Sequence, residues 1–99
     1  MNSWKVIEIL GGNKIKVLPN WRWNEKSGHA VVIIGYSVSL PDIPNEVAET
    51  LAKKRLATTI LNKEIVLKNP VSVEGGVLHC EVYLNDINIA KYFVDFNRK

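Results

Sequence analysis

Asn45-Glu46-Val47-Ala48-Glu49-Thr50-Leu51-Ala52-Lys53-Lys54-Arg55-Leu56-Ala57-Thr58-Thr59-Ile60 is a helical stretch set among strands, and its position decides the fold. Val47, Ala48, Leu51, Ala52, Leu56 and Ile60 recur at helical spacing, which predicts an apolar stripe turned toward a core. Leu40-Pro41-Asp42-Ile43-Pro44 breaks the chain just before it. Asn45 is the expected N-cap, with Glu46 and Glu49 in the early turns. Lys53, Lys54 and Arg55 lie toward the other end, where cations suit the helix dipole. The charge run therefore reads as a solvated helix face, with a basic flank shared with Lys63 and Lys68 as the alternative. The helix is expected to fray near Thr58-Thr59, ahead of Asn62.

Three strands are expected before the helix. Trp4 to Leu10 and Lys14 to Leu18 are β-prone runs joined by a Gly11-Gly12-Asn13 corner, so they read as a hairpin. Pro19 and Asn20 are expected to stop the second strand. Trp21 to Gly28 is polar apart from two tryptophans and reads as an exposed loop or a twisted extension of a hairpin. His29 to Tyr36 is the third strand, and its run Ala30-Val31-Val32-Ile33-Ile34 predicts burial on both faces. Two strands are expected after the helix. Glu64 to Leu67 ends at Asn69-Pro70, and Val71 to Glu74 either extends it or forms a loop. Gly75-Gly76 turns into Val77 to Leu84. Asn85-Asp86-Ile87-Asn88 turns again, and Ile89 to Phe96 reads as a short closing helix.

The expected fold class is mainly β with one or two helices, in the order β-β-β-α-β-β with a short C-terminal helix. That is the plan of a five-stranded Greek-key OB barrel, which removes sheet edges and encloses an apolar interior. Residues 1–99 are expected to form a single domain, since 99 residues supply one compact core. The chain is 46% hydrophobic and 23% charged, which excludes a disordered tail, a collagen-like rod and a low-complexity linker. A net charge of +3 permits weak attraction to phosphate backbones or acidic surfaces without demanding either. Cys80 is the one cysteine, so no internal disulfide forms, and its alternating apolar context predicts a buried structural thiol in a reducing compartment. No signal peptide and no stretch of membrane-spanning length are visible, so a soluble, cytoplasmic protein without a membrane partner is expected.

Three segments together resemble the staphylococcal-type (thermonuclease-like) nuclease domain, an OB barrel. Val6 through Val17 is similar to that family's opening hairpin with its Gly-Asp-Thr/Ser turn. Asn45 through Leu67 is similar to its helix with an early alanine, followed by a Gly-Lys-x-Val strand entry. Gly75 through Asp86 is similar to its Gly-Arg-x-Leu-Ala-x-Val-Tyr strand and polar turn. The resemblance spans residues 4–90. It implies chemistry with a calcium ion held by aspartates, a glutamate acting on water, and two arginines that stabilise the phosphate in flight. The turn aspartate maps onto Asn13. Without gaps, the first arginine and the Asp-x-Pro-Glu stretch after it map onto Val32 and Ser37-Val38-Ser39-Leu40. Aligned on the proline, they map onto Ile34 and Ser39-Leu40-Pro41-Asp42, leaving Asp42 as the surviving carboxylate. The second arginine maps onto Val77. An aliphatic side chain cannot replace a guanidinium electrostatically, so the resemblance implies the fold with its catalytic set largely missing: Asn13, Val32, Ser37, Asp42 and Val77 are degenerate site positions.

Trp21-Arg22-Trp23 is the remaining local signal. If extended, both tryptophans share a face, and with Arg22, Lys14 and Lys16 they form a candidate ligand-binding set. Packing over the barrel mouth, or against a partner subunit, is the competing reading. His29, His79 and Cys80 lack the spacing of a zinc site, so neither a metal nor a cofactor is expected. The expected function is a catalytically inactive binding or structural module with a protein partner or a homo-oligomeric role. A nucleic-acid-binding OB domain is the alternative. A residual calcium-dependent nuclease using Asn13 and Asp42 is the second alternative.

Overall fold

In the computed structural model, which describes residues 3–97, the chain order is β1 (Trp4–Gly11), β2 (Lys14–Trp23), β3 (Lys26–Ile33), α1 (Asn45–Ile60), β4 (Glu64–Glu74), β5 (Val77–Leu84) and β6 (Ile87–Asn88), followed by a 3₁₀ segment, Ile89–Asn97, kinked at Phe93. The sheet order is β3-β2-β1-β4-β5-β6, and β3 also pairs with β5. That last pairing is parallel, Ala30↔Val77 through Ile33↔Cys80, and it closes β1-β2-β3-β5-β4 into a five-stranded barrel of the expected OB-like plan. Among the described residues no helix is long and apolar enough to cross a membrane.

Alternation builds the interior. Val6, Ile15, Val17, Val31, Ile33, Ile65, Leu78, Cys80 and Val82 point inward and are buried, while Lys14, Lys16, Ala30, Val32, Val77 and His79 face outward. The β3 run is thus buried on one face only, with Ala30, Val32 and Ile34 half-buried on the other. β2 runs further than expected, and β4 takes the longer of its two readings. β2 continues past Pro19 and Asn20, because a register shift between Lys16 and Trp21 removes the ladder positions that proline cannot serve. β4 passes Asn69-Pro70 in the same way, with a shift between Lys68 and Ser72 and Asn69 at φ 53°. The segment Trp21–Gly28 resolves as a hairpin extension. Its turn, Asn24-Glu25, has positive φ at both residues, as do Gly75-Gly76 and Asn85-Asp86. This is the sign of the tight turns whose twist matches paired strands. The expected 85–88 turn is shorter than it looked, since Ile87 and Asn88 pair with Leu84 and Tyr83.

The helix departs from its sequence reading in three respects. Asn45 is already helical, Pro44 occupies the cap position, and no side chain caps the first turn. Lys53, Lys54 and Arg55 are mid-helix, because α1 runs to Ile60 rather than fraying at Thr58-Thr59, and its last turn holds no cation. Of the apolar stripe, only Ala48, Ala52, Leu56 and Ile60 are buried, a strict four-residue repeat, whereas Val47 and Leu51 are 46% and 45% exposed. Small residues at 48 and 52 let the helix approach the β1–β2 corner. A Cβ on Gly12 would lie 2.6 Å from Val38 Cγ1 and 2.9 Å from Ala52 Cβ.

The chain end seals the barrel beside α1. Phe93 stacks on Tyr36 with centroids 4.2 Å apart, and Phe96 meets Phe93 edge-on at 5.6 Å. Arg55 crosses above both rings, at 5.3 and 5.0 Å, and donates to Asp95 Oδ1 at 2.7 Å, Asp95 Oδ2 at 3.1 Å and the Tyr92 carbonyl at 2.9 Å. The hydrogen-bonded guanidinium holds the Asp95 carboxyl below its usual range, and Asp95 in turn raises Arg55.

Three substitutions and a pH dependence test these contacts. Gly12→Ala lowers stability by about 1–3 kcal/mol, since a stiff valine and a helix-bound alanine must both give way; an unchanged denaturation midpoint contradicts this contact. Asp95→Asn costs under about 1 kcal/mol at pH 7, because the pair is half-exposed to solvent. Arg55→Ala costs roughly 1–2 kcal/mol, because packing over two rings and a carbonyl bond go too. Asp95 is lowered in the folded state, so its contribution is full above the unfolded value near pH 4 and disappears as pH falls through the lower folded value. Chemical denaturation across pH 2–7 checks this: the wild-type advantage over Asp95→Asn should vanish at the acid end.

Candidate functional site

The outward residues of β2, β3 and β5 form one continuous face whose register can be read across the strands. Lys14 lies opposite Val32, which lies opposite His79, which lies opposite Ser72. In the next row Lys16, Ala30, Val77 and Glu74 follow one another in the same order. The face is an apolar saddle of Ala30, Val32 and Val77 between two lysines on one side and Ser72, His79 and Glu74 on the other. Val32 and Val77, the two positions onto which the resemblance maps the family's arginines in the ungapped register, are diagonal neighbours on this face. In the gapped register Ile34 replaces Val32, and its N–H donates to the Cys80 carbonyl at 3.0 Å.

The remaining degenerate positions sit at the end of the barrel. Asn13 is in the β1–β2 corner, where its carbonyl accepts from the Ile33 N–H at 2.7 Å. Beside it, Gly12 is clasped from both sides: its N–H donates to Glu49 Oε2 at 2.7 Å, and its carbonyl accepts from the Tyr36 hydroxyl at 2.8 Å. Burial and then the Glu49 charge push the Tyr36 phenol well above its ordinary value, so it remains a donor across the working pH range. Ser37 is exposed and donates to the Phe96 carbonyl at 2.7 Å, and Asp42 is exposed with φ 61° in the loop before α1. Among the described residues no three His, Cys, Asp or Glu side chains come together as metal ligands would.

The tryptophans do not form a paired platform. Trp21 is 1% exposed, and its indole N–H donates to the Ala30 carbonyl at 2.8 Å, so its faces are spent on the core. Trp23 is half-buried, and Arg22 is exposed on the opposite side of the strand. Sequence reasoning missed Trp4, which joins Trp21 and Trp23 around a small cavity of about 80 Å³ with Leu67, Pro70, Leu78 and Cys80. The signal was present in the hairpin register: Lys5↔Leu18 brings Trp4 alongside the far half of β2. Packing is therefore what these rings do, and the hairpin leaves Arg22 and Lys26 exposed beside a half-buried Trp23.

The histidines and the cysteine are separated as strand alternation requires. His79 faces out and Cys80 faces in. His29 Nδ1 lies 3.0 Å from the Val17 carbonyl, which can only accept, so that nitrogen carries the proton. Burial, with a smaller push from Glu81, raises the Cys80 thiol to about 12. It stays protonated at neutral pH and is no nucleophile there. A disulfide reagent at pH 8 should leave Cys80 unmodified in the folded protein and modify it at once in denaturant; rapid native-state labelling would contradict its placement.

No protein-family model matches the chain, and neither a curated protein nor a solved structure does. The closed barrel and its strand order carry the fold assignment by themselves.

Proposed function

We propose that this chain is a non-catalytic binding module of the staphylococcal-nuclease-like OB type, and that its partner is a protein. One observation carries the reading: Val32 and Val77 are diagonal neighbours on the face where the resemblance, in its ungapped register, implies two phosphate-clamping arginines. Isopropyl groups offer no stabilisation to a phosphate gaining charge, and losing even one such donor costs a factor of about a hundred or more in rate. The turn aspartate is an asparagine at Asn13, and Glu49 is engaged by the Gly12 N–H. An apolar saddle with a charged rim has the composition of a protein contact, with a dry centre and a polar edge.

A nucleic-acid-binding OB domain is the second reading. Lys14 and Lys16 project from the same face, and Arg22 and Lys26 are exposed on the β2–β3 hairpin, so the strand face used by OB domains for oligonucleotides carries positive charge here. It lacks the second aromatic ring of a stacking platform, because Trp21 is in the core.

One preparation separates the readings. With calcium and an end-labelled single-stranded oligonucleotide, no metal-dependent cleavage is expected, and cleavage abolished by Asp42→Ala would replace the proposal with a nuclease. Anisotropy of the same oligonucleotide at low salt is expected to stay flat. Binding that weakens steeply with salt and is reduced by Lys14→Ala and Lys16→Ala would transfer the function to nucleic acid.

A further inference from the structure

The outer side of α1 is exposed along its length. On one flank an open groove of about 640 Å³ lies between the helix and β1, and its lining mixes Glu8 and Glu49 with Lys53 and Lys54. On the other flank Arg55 ties α1 to the chain end through the Tyr92 carbonyl and Asp95. Between the flanks run two rows of side chains spaced by four residues. One is apolar: Val47 and Leu51 are 46% and 45% exposed, and Ile43, in the loop just before α1, is 37% exposed. The other row is Glu46, Thr50 and Lys54, all exposed. Where Arg55 meets the chain end, Tyr92 and Val94 are exposed as well. Single exposed hydrophobics are ordinary, but five of the nine large ones among the described residues fall in these two segments, which marks a contact surface. The second row carries its charges in a fixed order, an acid, a hydroxyl and a base. Among the described residues the ion pair is Arg55–Asp95, and Glu46 and Lys54 form none there.

We infer that this side of α1 packs against α1 of a second copy of the chain, the two helices antiparallel about a two-fold axis at Thr50, with Glu46 of each copy against Lys54 of the other. The inference goes beyond the function proposed above, because it concerns a different face from the saddle on β2, β3 and β5. The charge order selects the occupant. A two-fold rotation through Thr50 turns the row Glu46, Thr50, Lys54 into its own complement: Thr50 meets Thr50, and one Glu46–Lys54 pair forms on each side. A parallel copy would set glutamate against glutamate and lysine against lysine. The apolar row obeys the same axis to within one residue, since Val47 of one copy then falls beside Leu51 of the other. Rows spaced by four are the ridges that interdigitate when two helices cross at about 50°. Each charge pair lies about 6 Å along the helix from the crossing point, within reach of a glutamate and a lysine. A phosphate backbone suits this face poorly, because Asp42, Glu46 and Glu49 are exposed at its N-terminal end.

Light scattering of the full chain up to about 1 mM tests this, and a monomer–dimer equilibrium is expected, weak because the contact is small. Glu46→Lys alone and Lys54→Glu alone, each with its fold verified by circular dichroism, should weaken dimerisation by about five- to tenfold, since each sets like charges together at both pairs. Mixed one to one, the two variants should associate again, because each supplies the charge that the other lacks. A variant that is merely misfolded would not be rescued in this way. Leu51→Lys, at an exposed position, should leave a monomer. A strict monomer at the highest concentration overturns the inference. So does a dimer indifferent to the Glu46 and Lys54 changes, or a pair of variants that stays apart on mixing. None of these outcomes touches the saddle, whose reading stands or falls with the calcium and oligonucleotide experiment.

Discussion

Parallel pairing of β3 with β5 is the constraint on which the architecture depends. Hairpins by themselves would give an open meander with two bare edges. Joining its third and fifth strands side by side requires the chain to cross from one end of β3 to the far end of β5. α1 and β4 make that crossing. Closure satisfies the backbone of β3 and β5, and it fixes where satisfaction fails, because β4 leaves β1 after Lys5 and only the helix lies along the remainder. The closed barrel and the open groove are consequences of the same pairing.

The β1–β2 corner shows how the helix is held at that groove. Gly12 has no side chain, Ala52 has a small one, and the backbone of the corner is gripped by Glu49 from α1 and by Tyr36 from the loop before it. Tyr36 also stacks on Phe93, so corner, crossing loop and chain end meet at one ring. Arg55 covers the other side of the same cluster and ties it to Asp95. Buried polar groups at this junction have partners, which is what such positions require when water is excluded.

The outer face of the barrel and the side of β1 beside α1 differ in kind. In the two rows that cross β2, β3, β5 and the end of β4 each strand is paired with the next, so this face presents side chains: Lys14, Lys16, Ala30, Val32, Val77 and His79, with Ser72 and Glu74 at its β4 side. Beyond Val6, β1 is paired with β2 alone, with register shifts between Val6 and Glu8 and between Ile9 and Gly11, and α1 packs beside it.

Element order was legible in the sequence because alternation, helical spacing and glycine or asparagine turns are local. The Val77–Leu84 alternation alone sorted His79 outward and Cys80 inward. Strand ends were less legible at Pro19 and Pro70: proline signals a lost ladder bond, and a bulge absorbs that loss without ending the strand. Arg55 looked like its neighbours Lys53 and Lys54, and nothing local reveals that a residue near the chain end, Asp95, would claim it alone. Trp21 and Trp23 looked alike for the same reason, until barrel closure buried one and left the other at the edge. The sequence by itself determined which residues alternate, coil and turn. Which faces and edges remain open was decided by tertiary structure, because exposure depends on partners distant in the chain and no local pattern encodes them.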